Sequence, residues 1–162
     1  MHRIERHNIN FPLLLRVAGW LLILETVFMM VPLGTCLYYG EADWLCFALT
    51  CGFTLLVGLC LTRLVRSSQN HMGKREGFLL TALVWVVFSI FGMLPFIFCT
   101  TPISVTDAFF EAMSGFTTTG ASVLDSISHM SHGILMWRAL MQWIGGMGII
   151  LFTLAVLPML NH

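Results

Sequence analysis

Four stretches of this chain, residues 17–38, 44–62, 78–99 and 139–160, each reach the length of about twenty apolar residues that a helix needs to cross a bilayer. The first is interrupted only by Glu25, with a kink expected at Pro32, and the second contains no charged side chain. Composition agrees: 57% of the 162 residues are hydrophobic and 10% are charged, where soluble domains carry roughly 45–50% and about 25%. A soluble chain this short would lack the polar surface to cover such an interior. The expected class is an all-α integral membrane protein, with membrane lipid as its solvent. The run after Arg16 is too long for a signal-peptide core and is expected to remain as an anchor.

Charge position says more than charge total. The formal net charge is zero, so no global field points to nucleic acid or to acidic partners. Seven of the eight basic residues fall in two clusters: Arg3, Arg6 and Arg16, then Arg63, Arg66, Lys74 and Arg75. Basic residues close to spans stay on the cytoplasmic side. Both chain ends and the loop at 63–76 are therefore expected inside a cell membrane, with Glu41 and Asp43 outside. The five cysteines lie in or beside apolar stretches, without C-x-x-C or zinc-ligand spacing, and read as packing residues.

The link between the third and fourth stretches is the unusual part. Thr101-Pro102 reads as a helix start; Ser104 or Thr106 is the other candidate cap, with Asp107 favourable beside a helix N-terminus. The run Ala108-Phe109-Phe110-Glu111-Ala112-Met113 is helical but too short to cross, and it stops at Ser114-Gly115. Phe116-Thr117-Thr118-Thr119-Gly120-Ala121-Ser122 then favours extended or turn backbone. Non-helical backbone at membrane depth survives only against protein or a water-filled path. A span, a half-length helix, a Thr/Gly loop and a second span make a re-entrant pore loop with a selectivity-filter segment. The chain thus divides into an N-terminal hairpin with its cytoplasmic loop (1–77) and a span–pore loop–span unit (78–162).

The run Asp107-Ala108-Phe109-Phe110-Glu111-Ala112-Met113-Ser114-Gly115-Phe116-Thr117-Thr118-Thr119-Gly120-Ala121-Ser122, with Trp137-Arg138 and Gln142-Trp143-Ile144-Gly145-Gly146-Met147-Gly148-Ile149-Ile150, resembles the TrkH/KtrB potassium-transporter family, most closely its first pore repeat. The resemblance implies potassium transport in a bacterial inner membrane. Family members carry four span–loop–span repeats around a central pore, and this chain has one. A four-fold channel, a homotetramer, would complete the ring; the alternatives are the opening portion of a four-repeat transporter, or a non-conducting subunit that modulates one. The family also works with a cytoplasmic ring of nucleotide-binding regulatory subunits, for which only the 63–77 loop and the chain ends would be available here.

The chemistry expected is permeation rather than catalysis, with the potassium ion as cargo and no cofactor. Potassium filters replace the ion's hydration shell with backbone carbonyls. Those of Thr117, Thr118, Thr119 and Gly120 are the candidates, Gly120 supplying backbone angles closed to other residues. Glu111, an ionisable residue at membrane depth, is expected to brace this filter, by accepting backbone N–H groups or by pairing with Arg138. Arg138, read as the start of the fourth span, is expected behind the filter, where its charge would not repel cations. Glu25 is expected to hydrogen-bond between helices. Gly145-Gly146-x-Gly148 allows close packing of spans, including those of neighbouring subunits. Gly120-Ala121-Ser122 has the look of a serine-protease nucleophile, with His129 and His132 as the nearest bases, but the glycine after the serine is missing.

Overall fold

The computed structural model describes residues 11–65, 74–124 and 130–160, without the side chains of 74–76, 78 and 151–160. These residues form helices α1 (Phe11–Tyr39), α2 (Trp44–Leu64), α3 (Lys74–Gly92), α4 (Leu94–Phe98), α5 (Val105–Phe116) and α6 (His132–Leu160). Four helical segments are long and apolar enough to cross a membrane: α1, α2, the α3–α4 stretch Leu79–Phe98, and His132–Ile150 of α6. Lipid offers no partner for backbone N–H and C=O groups, so a spanning segment must satisfy them within its own helix. Several hydroxyls follow the same rule. Thr26, Thr50 and Ser89 each donate to the carbonyl four residues back, at 2.9, 2.9 and 2.8 Å.

Outward faces carry large apolar side chains. Trp20, Val27, Leu49, Phe53 and Leu56 are all more than half exposed, as lipid contact requires and water would penalise. Inside, α1 packs antiparallel on α2 through two glycines. A Cβ on Gly19 would lie 2.9 Å from the Gly58 carbonyl oxygen, and one on Gly58 would lie 3.0 Å from that of Gly19. Small residues let the two backbones touch.

Two departures from the sequence reading bear on the site. The third span is not continuous: α3 ends at Gly92 and the short α4 begins at Leu94. Pro95 has no N–H for the carbonyl one turn back, which favours a break there. The indole of Trp137 donates to the Gly92 carbonyl at 2.9 Å and satisfies it. The fourth span begins at His132 rather than at 139, so Arg138 lies almost two turns inside α6 instead of at its mouth.

The early start of α6 has a cause on the hairpin. Glu41 accepts hydrogen bonds from the N–H of His132 (2.8 Å) and of Gly133 (3.2 Å), and its Oε1 lies 2.7 Å from His132 Nδ1. It caps a helix that begins 91 residues later in the chain. Tyr39 stacks on the His132 ring at 4.1 Å. Beside it, Asp43 accepts from the N–H of Thr100 at 2.7 Å and from the Thr100 hydroxyl. The α1–α2 turn thus clamps both flanks of the segment between the third and fourth spans.

Acid is expected to loosen this clamp. Burial raises the Glu41 carboxyl, but the hydrogen bonds from His132 and Gly133 outweigh it and hold the group below its ordinary value. Burial raises Asp43 too, and hydrogen bonds from Ser131 and Thr100 prevail there in the same direction. A carboxyl held low in the folded state stabilises fully above the ordinary carboxylate range. That contribution is lost as pH falls through the range toward the lowered folded value. Thermal unfolding in detergent should be flat near neutrality and fall below that range. Glu41→Ala should cost about 1–2 kcal/mol at neutral pH and shrink the acid loss. An acid limb unchanged in Glu41→Ala would locate the pH dependence elsewhere.

Candidate functional site

Helix α5 is built to be short. Ser104 caps it: its Oγ accepts from the Asp107 N–H at 3.1 Å and donates to the Asp107 carboxylate at 2.7 Å. The acidic residue also sits where the helix dipole favours it. The twelve residues rise about 18 Å, roughly half of the 30 Å hydrocarbon core. Helix α5 buries Ala108, Glu111, Ala112, Ser114, Gly115 and Phe116. The Phe116 ring meets Phe88 of α3 at 5.4 Å and Trp137 of α6 at 6.3 Å.

The end of α5 lies directly on α6. A Cβ on Gly145 would overlap the Phe116 carbonyl oxygen and lie 2.7 Å from the Phe116 carbonyl carbon. Gly145 therefore serves contact within the chain rather than contact between subunits. Gly146 and Gly148 are less confined, with nearest atoms at 3.8 and 3.6 Å from an added Cβ.

After Phe116 the backbone changes hand residue by residue. The angle φ is −80° at Thr117, 57° at Thr118, not positive at Thr119 and 74° at Gly120. Alternation of this kind turns successive peptide planes to one side, unlike the up-and-down of a strand. Thr118 is β-branched, and such a residue at positive φ is strained; its hydroxyl donates to the Thr117 carbonyl at 2.7 Å.

The N–H groups all point back toward α5. Thr117 donates to Met113 (2.9 Å), Thr118 to Gly115 (3.0 Å), and Thr119 and Gly120 both to Ser114 (2.9 and 3.4 Å). The Ser114 hydroxyl donates in turn to the Ala121 carbonyl at 2.6 Å. Among the described residues, the carbonyls of Thr118, Thr119 and Gly120 accept no hydrogen bond. Residues 117–120 are exposed. The result is a short row of free carbonyl oxygens whose amides are tied to the end of a helix.

Glu111 makes both of the contacts weighed from sequence. Its Oε1 accepts from the Ser122 hydroxyl at 2.6 Å and the Val123 N–H at 2.7 Å; its Oε2 takes Arg138 Nε at 3.1 Å. The carboxylate is 1% exposed and the guanidinium-bearing side chain 16%. The pair therefore fastens the segment leaving residues 117–120 to α6. Ser122, engaged by Glu111, has its hydroxyl far from nucleophile duty, and His132 is held by Glu41; His129 lies outside the described residues. Glu25 departs from expectation. It is 1% exposed, and neither carboxylate oxygen has a hydrogen-bond partner among the described residues.

Two contributors were not singled out from sequence. Ser114 gathers two amides and holds Ala121, although it read only as a helix stop. Trp137 satisfies the carbonyl at the α3 break. A serine on the last turn of a short helix before a Thr/Gly run was the signal available for the first.

Known proteins bear on this arrangement. A family model described as TrkH, cation transport protein, matches residues 47–162. The chain is 40% identical over 153 residues to the Trk system potassium uptake protein TrkH of Escherichia coli K12, covering 94% of this chain and 32% of that protein. It is 31% identical over 147 residues to TrkG of the same strain, covering 90% and 30%. The crystal structure of the potassium transporter TrkH from Vibrio parahaemolyticus superposes with a TM-score of 0.86 at 38% identity, over 91% of this chain and 32% of that one. The chain spans about a third of the length of the curated relatives it matches.

Proposed function

Because this chain belongs to the TrkH family of cation transport proteins, we propose that residues 105–124 are one filter segment of a potassium-conducting pore. The carbonyls of Thr117, Thr118, Thr119 and Gly120 replace water around the ion, and α5 is the re-entrant pore helix that aims them. The strongest support is the alternating hand of residues 117–120, with amides tied to α5 and three carbonyls left free. Such oxygens suit a cation that must be held weakly enough to move on. The negative end of the α5 dipole faces the same place. Glu111 and Arg138 support the filter from behind, their charges paired with each other instead of facing the ion. Potassium as cargo follows the names of the relatives.

One filter segment encloses a quarter of an ion's surroundings. Four copies in a ring complete it, and closed rings are the usual form of homo-oligomer. The threefold greater length of the relatives favours a second arrangement, in which further repeats of the same kind supply the other three quarters. The basic residues near the spans favour a cytoplasmic position for the Arg16 and Arg63 end of the hairpin. Gly19, three residues after Arg16, packs beside Leu61 and Thr62, so both arginines lie at that one end.

Gly120→Ser tests the filter. No atom of the described residues lies within 4 Å of an added Cβ there, so within this chain the change acts through φ of 74°. A left-handed conformation costs a residue with a Cβ about 1–2 kcal/mol, and in a homotetramer it is imposed four times. Potassium flux in liposomes should fall, and discrimination against sodium should weaken, with assembly by native mass measurement unchanged. Thr119→Ser, which keeps carbonyl and hydroxyl, should do much less. A Gly120→Ser protein with full flux and selectivity would remove this segment from the permeation path.

A further inference from the structure

Glu25 has no part in the filter, yet it lies against the element that sets it. A Cβ added to Gly92 would fall 3.2 Å from Glu25 Oε1 and 2.7 Å from Phe116 Cε2. The carboxyl and the ring therefore pack at one spot, over the break between α3 and α4. Phe116 is the residue before Thr117, and its carbonyl rests on Gly145. Among the described residues, the carboxyl has no hydrogen-bond partner there.

Among the described residues, no unpaired charge lies near it either. On α6, Arg138 is engaged by Glu111 and His132 by Glu41. On its own helix, Arg16 is nine positions away, about 14 Å along the axis; Arg63 lies at the same end of the hairpin. Lys74, Arg75 and Glu76 begin α3, at least sixteen residues before Gly92 and so about 24 Å from it. On α2, Thr54 Oγ1 is the other buried side-chain oxygen without a described partner. A bare carboxylate enclosed in this way is strongly disfavoured.

We infer that Glu25 is a proton-binding site within the membrane, its neutral carboxyl sealed between α1, Gly92 and Phe116, and that losing the proton loosens the entry to the filter. The step is the transfer of one proton between a carboxylate oxygen and water; no other bond changes. The charge left behind draws water, and water has room only if α1 parts from Gly92. Phe116 shares that contact, so residue 117 moves with it. The consequence for flux rests on the filter reading above, whereas the proton site does not.

The full chain in lipid nanodiscs, studied by infrared difference spectroscopy across pH, tests the site. Wild type should show the carbonyl stretch of a protonated carboxyl at neutral pH that disappears with alkali and is missing in Glu25→Gln. Glu25→Met, similar in length and apolar, serves if the amide variant fails to fold. In liposomes, wild-type potassium flux should fall on the alkaline side and Glu25→Gln should flatten that fall. Absence of the band at every pH overturns the site. A band present with the same alkaline fall in both proteins overturns the link to the filter. A band present with no flux from any variant upholds the proton site and counts against the filter reading instead.

Discussion

Gly145→Ala is expected to abolish potassium flux and to lower thermal stability, the largest effect anticipated from a single methyl group in this protein. The added carbon would overlap the Phe116 carbonyl oxygen, and the next atoms it meets, at 2.7 and 3.0 Å, are also Phe116 backbone. No flexible side chain is available to yield. Either α6 backs away from α5 or the end of α5 lifts, and overpacking of this kind costs about 1–3 kcal/mol or more. Both movements displace Thr117, whose N–H is tied to Met113 on the same helix. Gly146→Ala is the control: its Cβ meets only Thr118 Cγ2, at an ordinary 3.8 Å. Flux in liposomes and unfolding in detergent measure the pair. Equal behaviour of the two variants would mean that α6 does not press on the end of α5.

The second large effect is expected at Glu111. Glu111→Ala strips an acceptor from Arg138, from Ser122 and from the Val123 N–H together. Breaking a buried ion pair from one side costs about 3–5 kcal/mol, because the remaining charge is left uncompensated. Arg138→Met should cost less, since the carboxylate keeps its hydroxyl and amide donors. The double variant should be no worse than Glu111→Ala alone, a non-additivity expected of residues in direct contact. Denaturation of the four proteins closes the cycle. Additive losses would show that the pair is not formed in the membrane-embedded protein.

How much of this could be read from residues alone depends on the range over which each choice is made. The spans were legible because apolar length is a local property. The start of α5 was legible only in part: Ser104 was one of the alternative caps and satisfies Asp107 within one turn, whereas Thr101-Pro102, read first as the start, lies before the helix. The Glu111–Arg138 contact was legible at a separation of 27 residues, because a charge inside an apolar region has few candidate partners. The break at Gly92 was not, since its carbonyl is satisfied by Trp137 from another span. The start of α6 was hidden for the same reason. The residues before Arg138 include serine, histidine and glycine and read as a loop, while their cap, Glu41, comes from the first hairpin. Among the glycines of Gly145-Gly146-x-Gly148, spacing could not tell which touches a neighbour. Thr118 is the sharpest case. A β-branched residue predicts extended backbone, and only the ties from its neighbours to Ser114 and Met113 impose a positive φ.

The clamp at the α1–α2 turn has a consequence for biogenesis. The chain is made from its N-terminus, and helices α1 and α2 pair through contacts near in sequence, so the hairpin can be complete while α6 is still being synthesised. Glu41 and Asp43 then wait at the membrane face as fixed acceptors. One is matched to the first two amides of α6 and the other to Thr100. A late-arriving helix that enters the bilayer out of register finds no cap, and its first amides stay unpaired at a depth where that is costly. The hairpin thereby acts as an assembly gauge. It sets how deep α6 may sink, and so which glycine of α6 comes to rest beneath Phe116.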